Sequence, residues 1–136
     1  MISSEQKHER VNLICDSGMD FIWFLEDAYE QKDVNKFFSL VSSEFKKDLM
    51  KIKEQFTKNR LERDSVELYI HLVRKIQCPD KLVSVYNICW IKRFKRRKDS
   101  YWYREVGKAE ILLKAYGDVK DKRFLLYDIY GDSPFN

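Results

Sequence analysis

The 136-residue chain is poor in the residues that build special sites, with three cysteines, four glycines and two histidines. Cys15, Cys78 and Cys89 are odd in number and lack the close paired spacing of zinc sites and redox motifs, so we expect thiols in a reducing compartment. The glycines form no phosphate-binding loop, and the histidines have no metal-ligand spacing. We therefore predict no metal and no cofactor, and nucleotide-dependent enzymes are disfavoured.

Long apolar runs are also missing. No stretch approaches the ~20 apolar residues of a membrane-spanning helix, and residues 1–10 show no basic region followed by an apolar segment. We predict a soluble, cytoplasmic protein with no membrane partner; the alternative is an exported domain whose leader has been removed. Hydrophobic residues at 44% and aromatic residues at 15% are enough for a buried core. One domain is expected over residues 1–136, helical over 1–60 and sheet-forming over 61–136.

Charge is divided unevenly along the chain. Residues 1–45 hold 4 Lys and Arg and 9 Asp and Glu, a net charge of −5. Because the whole chain has a net charge of +4, residues 46–136 carry a net charge of +9. The helical part is thus acidic and the strand-rich part basic. Such a division can steer anionic partners or let two copies attract each other, but it does not indicate a fold.

The first part of the chain has a helical period, with apolar residues at three- and four-residue steps. The spacing predicts one helix that ends near Lys32 and a short second helix capped by Asp33. A third helix is predicted to begin at Ser42 or Ser43. The apolar residues of that third helix are Phe45, Leu49, Ile52 and Phe56.

After Asn59 the apolar period changes to two, which indicates strands. Strands are predicted over residues 66–78, 82–94, 101–116 and 124–130, joined by short turns as an antiparallel meander. The expected fold class is α+β, with three N-terminal helices on a curved four-stranded antiparallel sheet. Because the second and fourth strands carry large apolar groups on both faces, we expect a homodimer packed through the sheet; a monomer is the alternative.

This order of elements resembles the nuclear transport factor 2-like superfamily, the cystatin-like, cone-shaped α+β fold shared with polyketide cyclases and ketosteroid isomerase. Residues 24–33, 37–45, 107–110 and 124–135 carry the resemblance. It implies a pocket between sheet and helices, frequent dimerisation through the sheet, and functions that range from isomerisation to plain binding.

In the enzymes of that superfamily, a carboxylate inside the apolar cone acts as the base. Burial raises a carboxyl pKa towards the working pH, so such an acid should lie among aromatic residues. Asp128, between Tyr127 and Ile129, is therefore the candidate catalytic residue of an isomerase or cyclase-type enzyme. The alternative is an aspartate that faces solvent or pairs with a neighbouring cation. Glu105 is a second candidate, although adjacent basic residues favour an ordinary surface pair.

Aromatic residues and one histidine are candidates for the lining of an apolar ligand pocket. They are Trp23, Tyr29, His71, Tyr86, Trp90 and Tyr103. The aromatic residues can instead belong to the core and dimer interface, because aromatic side chains dominate packing wherever they are buried. His71 can equally project outward.

A basic segment at the predicted hairpin is a candidate site for a polyanion. It contains Lys92, Arg93, Lys95, Arg96, Arg97 and Lys98, followed by aromatic residues that can stack on bases. The pI of 8.9 is modest, however, and a charged hairpin tip also protects strand ends from pairing, so nucleic acid is a disfavoured partner. The sequence favours a small-molecule-binding or dimeric interaction module, with the enzyme second and polyanion binding third.

Overall fold

The computed structural model describes residues 17–78, 83–117 and 123–136. Its elements are α1 (Ser17–Glu30), α2 (Val34–Ser39), α3 (Leu49–Glu62), β1 (Arg63–Cys78), β2 (Val83–Arg96), β3 (Trp102–Tyr116) and β4 (Arg123–Gly131). The strands form one antiparallel sheet in the order β1-β2-β3-β4. The described part of the chain thus has three helices followed by a curved four-stranded sheet, and the predicted α+β fold class is confirmed.

Local sequence signals were sufficient to predict where α1 ends and where α2 begins. Lys32 has a φ of 59°, and the N–H of Asp33 donates to the carbonyl of Ala28 at 3.3 Å, a left-handed turn that ends α1. The carboxylate of Asp33 accepts from the N–H of Lys36 at 3.0 Å and caps α2, as predicted.

The predicted start of the third helix at Ser42 or Ser43 is wrong. Asp48 is the cap of α3, and its carboxylate accepts from the N–H groups of Met50 and Lys51 at 3.0 and 3.3 Å. Ser42 instead begins a single turn, in which its carbonyl accepts from the N–H of Phe45 at 3.1 Å and its hydroxyl accepts from the N–H of Glu44 at 3.0 Å. The spacing of Phe45 and Leu49 matches a helical period although Phe45 lies outside the helix.

The β4 edge of the sheet is covered by the segment that was predicted to be helical. The N–H of Ser42 donates to the carbonyl of Leu126 at 2.8 Å, and the N–H of Leu126 donates to the carbonyl of Leu40 at 2.9 Å. Lys46 continues the contact by donating its N–H to the carbonyl of Tyr127 at 3.3 Å. Residues 40–46 therefore satisfy main-chain groups of an edge strand.

The β1 edge is covered by side chains of α1. The N–H of Leu68 donates to the carboxylate of Glu30, and the N–H of Ile70 donates to that of Glu26, both at 3.0 Å. Glu26 is fully buried by this arrangement. Two glutamates one turn apart thus attach α1 to the sheet.

The two faces of the sheet are distinguished by burial. The face that packs on the helices, here called the inner face, takes alternate residues of β2, namely Ser84, Tyr86, Ile88, Trp90, Lys92 and Phe94, all buried. The outer face takes the residues between them, of which Val85, Cys89 and Ile91 are half-buried. Among the described helices, none has the length and apolar character needed to cross a membrane.

Gly107 makes room on the inner face for the residues around Trp90. A Cβ atom at this position would lie 2.5 Å from Cζ2 of Trp90 and 2.9 Å from Cβ of Asp132. Trp90 Nε1 donates to the carbonyl of Asp132 at 2.7 Å. Gly107 therefore lets the tail, defined as residues 132–136 after β4, pass close to the sheet.

Candidate ligand pocket and buried lysine

An apolar cavity of about 300 Å³ lies between α2, the beginning of α3, β4 and the tail; we call it the β4 pocket. Its apolar lining consists of Phe37, Phe38, Val41, Phe45, Leu49, Ile52, Leu126, Ile129 and Phe135. Lys47, Asp48 and Lys51 add charged groups to the lining. The exposed Lys47 and Lys51 lie at the solvent side, so the site combines an apolar interior with a charged rim.

The wall of the β4 pocket depends on contacts between distant parts of the sequence. Val41 and Phe45 line it because residues 40–46 run along β4 instead of forming a helix. Ile52 comes from α3 and Leu126 from β4. From the sequence, these residues were interpreted as apolar core positions of separate helices and strands. The overlooked signal is the density of phenylalanine between residues 37 and 56.

Asp128 lies at an irregularity of β4. Leu112 pairs with Asp128 while the next residue of β3, Leu113, pairs with Leu126, so β4 carries one additional residue there. Asp128 is 2% exposed, and its Oδ1 accepts from the N–H of Ile129 at 2.8 Å and lies 3.7 Å from Nζ of Lys47. Asp128 is not among the residues that line the β4 pocket.

The hydroxyl of Tyr130 also hydrogen-bonds to the Asp128 carboxylate, which raises the pKa of Tyr130 above its usual value. The contacts of Asp128 therefore come from a main-chain N–H, a lysine and a tyrosine near the edge of the sheet. This arrangement corresponds to the paired aspartate that the sequence left as an alternative. The catalytic role of Asp128 stays a prediction.

The six residues predicted to bind a ligand lie apart from the β4 pocket. Tyr29, Tyr86 and Trp90 are buried in the core, and Trp23 is half-buried on α1. His71 is exposed on β1, and Tyr103 donates its hydroxyl to the carboxylate of Asp99 at 2.6 Å. None of these six, all within the described residues, lines that cavity.

Lys92 is the least expected feature of the inner face. Its side chain is fully buried, and Nζ lies 4.9 Å from the ring centroid of Tyr29 and 5.2 Å from that of Trp90. The amine donates to the main-chain oxygen of Asn136 at 2.7 Å, and the Tyr29 hydroxyl donates to the same oxygen at 2.7 Å. Burial, followed by the positive charge of Arg63, lowers the pKa of Lys92 to about 7, and the charge of Glu105 opposes this shift.

Arg63 is a second cation, and it lies beside Tyr29 and Lys92. Arg63 donates from Nη1 to the Tyr29 hydroxyl at 3.3 Å, its Nη2 lies 4.0 Å from Oε1 of Glu105, and its guanidinium lies 3.9 Å from the ring centroid of Phe94. Burial is the main reason that the pKa of Tyr29 rises to about 12. Glu105, the second predicted acid, thus pairs with Arg63 rather than with the basic residues next to it in sequence.

The alternation of β2 divides the basic segment. Lys92 lies inside, so it contributes nothing to an exposed surface. Arg93 pairs with Glu67 at 3.6 Å, and Arg97 pairs with Asp64 at 2.8 Å.

The remaining cations of the segment stay nearer to solvent. Arg96 stacks on Tyr103 at 5.1 Å, Lys95 is half-buried and Lys98 is exposed. The six cations are therefore not presented together on one surface.

The cysteines contribute little to a site. Cys89 is free and half-buried on the outer face, while Cys15 and the side chain of Cys78 fall outside the described part of the chain. Within the described ranges, no group of three or more histidine, cysteine, aspartate or glutamate side chains is placed to hold a metal ion.

By sequence, no protein-family model and no curated protein matches the chain. Solved structures do match. A conserved protein from Planctomyces limnophilus has a TM-score of 0.69 at 9% identity, over 83% of this chain and 90% of that one. A nuclear transport factor 2-like superfamily protein from Salmonella enterica has a TM-score of 0.65 at 11% identity, over 97% and 94%. AusH from Aspergillus nidulans has a TM-score of 0.55 at 13% identity, over 91% and 86%.

Proposed function

Because the chain has the nuclear transport factor 2-like fold, we propose that it is a small-molecule-binding module that holds an apolar ligand in the β4 pocket. The observation that carries this proposal is the cavity of about 300 Å³ between helices and sheet. This volume lies at the lower end of the range of about 300–1,000 Å³ that is usual for small-molecule sites.

The lining supports an apolar ligand. The rings of Phe37, Phe38 and Phe45 offer flat apolar surfaces, and transfer of an apolar group from water onto them is favourable by about 25 cal/mol per Å². Lys47 and Lys51 at the rim can interact with a polar end of the ligand that stays near solvent.

Binding accounts for the geometry better than the two alternatives. An isomerase or cyclase that used Asp128 as base would need this carboxylate in the cavity, but Asp128 lies outside the lining and contacts Lys47. A polyanion site on the hairpin would need available cations, but Arg93 and Arg97 already pair with carboxylates.

The test uses two variants on one helix. Ile52 lines the β4 pocket, whereas Leu61, also on α3, is 63% exposed and lies away from the lining. A neutral naphthylamine fluorophore should bind the wild type with increased emission. Ile52→Trp fills the cavity and should weaken binding by about tenfold or more, a loss of about 1.4 kcal/mol. Leu61→Trp, the matched control, should bind the probe as the wild type does.

Circular dichroism of both variants checks that the helices remain folded. The proposal is wrong if the wild type does not enhance the emission of the probe. It is also wrong if folded Ile52→Trp binds the probe as tightly as Leu61→Trp does.

We further propose that two copies pair through the outer face. Tyr69, Ile91 and Val106 are directly opposite one another on β1, β2 and β3, and they form an apolar row across that face. Val106 is 60% exposed and Val73, nearby on β1, is 66% exposed. A second copy related by a two-fold axis can cover such a surface with the same surface.

A further inference from the structure

The outer face of the sheet is organised in rows of residues that lie opposite one another on neighbouring strands. Two rows are apolar: the first is Tyr69, Ile91 and Val106, and the second is Ile76, Val85 and Leu112. Two rows with polar and charged groups lie between them: His71, Cys89 and Lys108, then Arg74, Asn87, Glu110 and Tyr130. The polar groups therefore occupy the middle of the outer face, and apolar residues flank them on both sides.

Two charged residues in the middle of this face lack partners. On β3, Lys108 and Glu110 are both exposed, and within residues 17–78, 83–117 and 123–136 neither forms an ion pair. By contrast, Arg93 on the same face pairs with Glu67 at 3.6 Å. The middle of the outer face thus presents one unused charge of each sign, two residues apart on one strand.

Asn87 adds an unused acceptor to the same region. Its side-chain oxygen is buried, and the part of the chain that the structure describes offers it no hydrogen-bond partner. Asn87 lines an open depression of about 480 Å³, and the lining also includes Val73, Lys108, Glu110 and Tyr130. Because a buried polar atom without a partner is unfavourable, the depression favours an occupant that brings a hydrogen-bond donor.

This surface is complementary to itself about one particular two-fold axis, which runs across the strands at the level of Ala109. Two β3 strands then lie face to face and antiparallel, so that Lys108 meets the partner's Glu110. By the same symmetry, Val106 meets the partner's Leu112, and the first apolar row therefore faces the second.

Other positions of the axis are unfavourable. Moving it by two residues towards Val106 would place that valine opposite the partner's Lys108. An axis that runs parallel to β3 and directly over it would place Lys108 opposite the partner's Lys108. The pattern of charged and apolar residues therefore selects one register against its neighbours.

We infer that two copies pair about the axis at Ala109 and that reciprocal contacts between Lys108 and Glu110 set the register of the dimer. This inference rests on the proposed pairing through the outer face. An ammonium group has three donors, so the partner's Lys108 can bind both the Glu110 carboxylate and the unpaired oxygen of Asn87, which lies opposite Glu110 on β2. The contact forms twice, once on each side of the axis.

The test reverses the two charges singly and together. Lys108→Glu and Glu110→Lys each place like charges at both contacts, and each should raise the Kd of the dimer by about tenfold or more. Analytical ultracentrifugation at low ionic strength measures this change, since salt would screen the charges. The double variant Lys108→Glu/Glu110→Lys restores opposite charges and should dimerise as the wild type does.

A mixture of the two single variants gives a result that a loss of folding could not produce. In the heterodimer both contacts join opposite charges, so it should form in preference to either homodimer. Native mass spectrometry of the mixture, with one variant isotope-labelled, measures the proportions.

Lys58→Glu is the matched control, because Lys58 is an exposed lysine on α3, on the other side of the sheet. It should leave the dimer unchanged. If the wild type dimerises but the single variants dimerise equally well, or form heterodimers only at random, the register is wrong while pairing through the outer face is not contradicted. Equal weakening by Lys58→Glu would indicate net charge alone and would also overturn the inference. A monomeric wild type removes the proposed pairing together with its register.

Discussion

The inner face of the sheet packs against helices and tail, whereas the outer face leaves Val73 and Val106 largely exposed, although both faces carry valine, isoleucine and aromatic residues. On β2 the inner Ile88 is 2% exposed, while the outer Ile91 is half-buried. Hydrophobicity alone therefore does not decide which side of a strand is buried. The buried side is the one that the helices cover, and they can cover only one face of the sheet.

The same comparison explains why a charged residue is buried. Lys92 continues the inner row of Ile88 and Trp90 on β2, and the pleat of the strand places it inside regardless of its charge. The rings of Trp90 and Tyr29 surround its stem and amine. The alternation of side chains along β2 thus places Lys92 inside, although an ammonium group prefers water.

The largest expected effect comes from truncating neighbouring leucines on opposite faces. Leu113 lies on the inner face and is 0% exposed, whereas Leu112 is half-buried on the outer face. Leu113→Ala should lower the free energy of unfolding by about 2–5 kcal/mol, because it leaves a cavity in the core. Leu112→Ala should cost clearly less. Urea denaturation of both variants measures the difference, and equal losses would contradict the assignment of the two faces.

A smaller, pH-dependent effect is expected from Lys92. The unfolded chain keeps this proton up to the ordinary value of 10.5, but the folded chain keeps it only up to about 7. The unfolded state therefore binds more protons between these values, and the free energy of unfolding should rise with pH across that window. Arg63, Glu105 and Tyr29 are the charged and titratable groups that face Lys92.

Lys92→Met isolates this contribution. The free energy of unfolding of wild type minus that of the variant should increase from pH 7 towards pH 10 and be flat below pH 6. Urea titrations at pH 6, 8 and 10 measure it, and the other titrating groups cancel in the difference. A constant difference would show that the burial of Lys92 does not depress its pKa.

The smallest effect on stability, and the sharpest on assembly, is expected on the outer face. Val106→Asp places a charge in the apolar row and should convert a dimer into a monomer, measured by light scattering after size-exclusion chromatography. Leu61→Asp is the matched control, because Leu61 is also exposed but lies on α3. It should leave the dimer intact. A wild type that is monomeric at tens of micromolar would contradict the proposed dimer.

Local sequence signals were enough for the order of the elements, for the end of α1 near Lys32 and for the cap at Asp33. They failed where distant residues decide. Residues 40–46 follow β4 because Leu126 offers unpaired main-chain groups, and no local pattern announces this pairing. The additional residue in β4 pairs Asp128 with the outer-face Leu112, whereas a strict period of two would place Asp128 on the inner face with Leu126.

The position of Lys92 could have been found from the sequence. Alternation counted from Tyr86 through Ile88 and Trp90 places Lys92 on the same face, and only the reading of residues 92–98 as one basic segment concealed it. The β4 pocket could not have been found in this way, since Phe37, Ile52 and Leu126 come from three separate elements. Its volume depends on how those elements pack.

The coverage of both sheet edges also limits how another molecule can attach. A foreign strand that extends a sheet needs a row of unused N–H and C=O groups. At Leu68 and Ile70 the outward N–H groups are bound to Glu30 and Glu26, and at Leu126 both groups are bound to residues 40–46. Over these stretches, strand addition and fibril growth by that route are blocked.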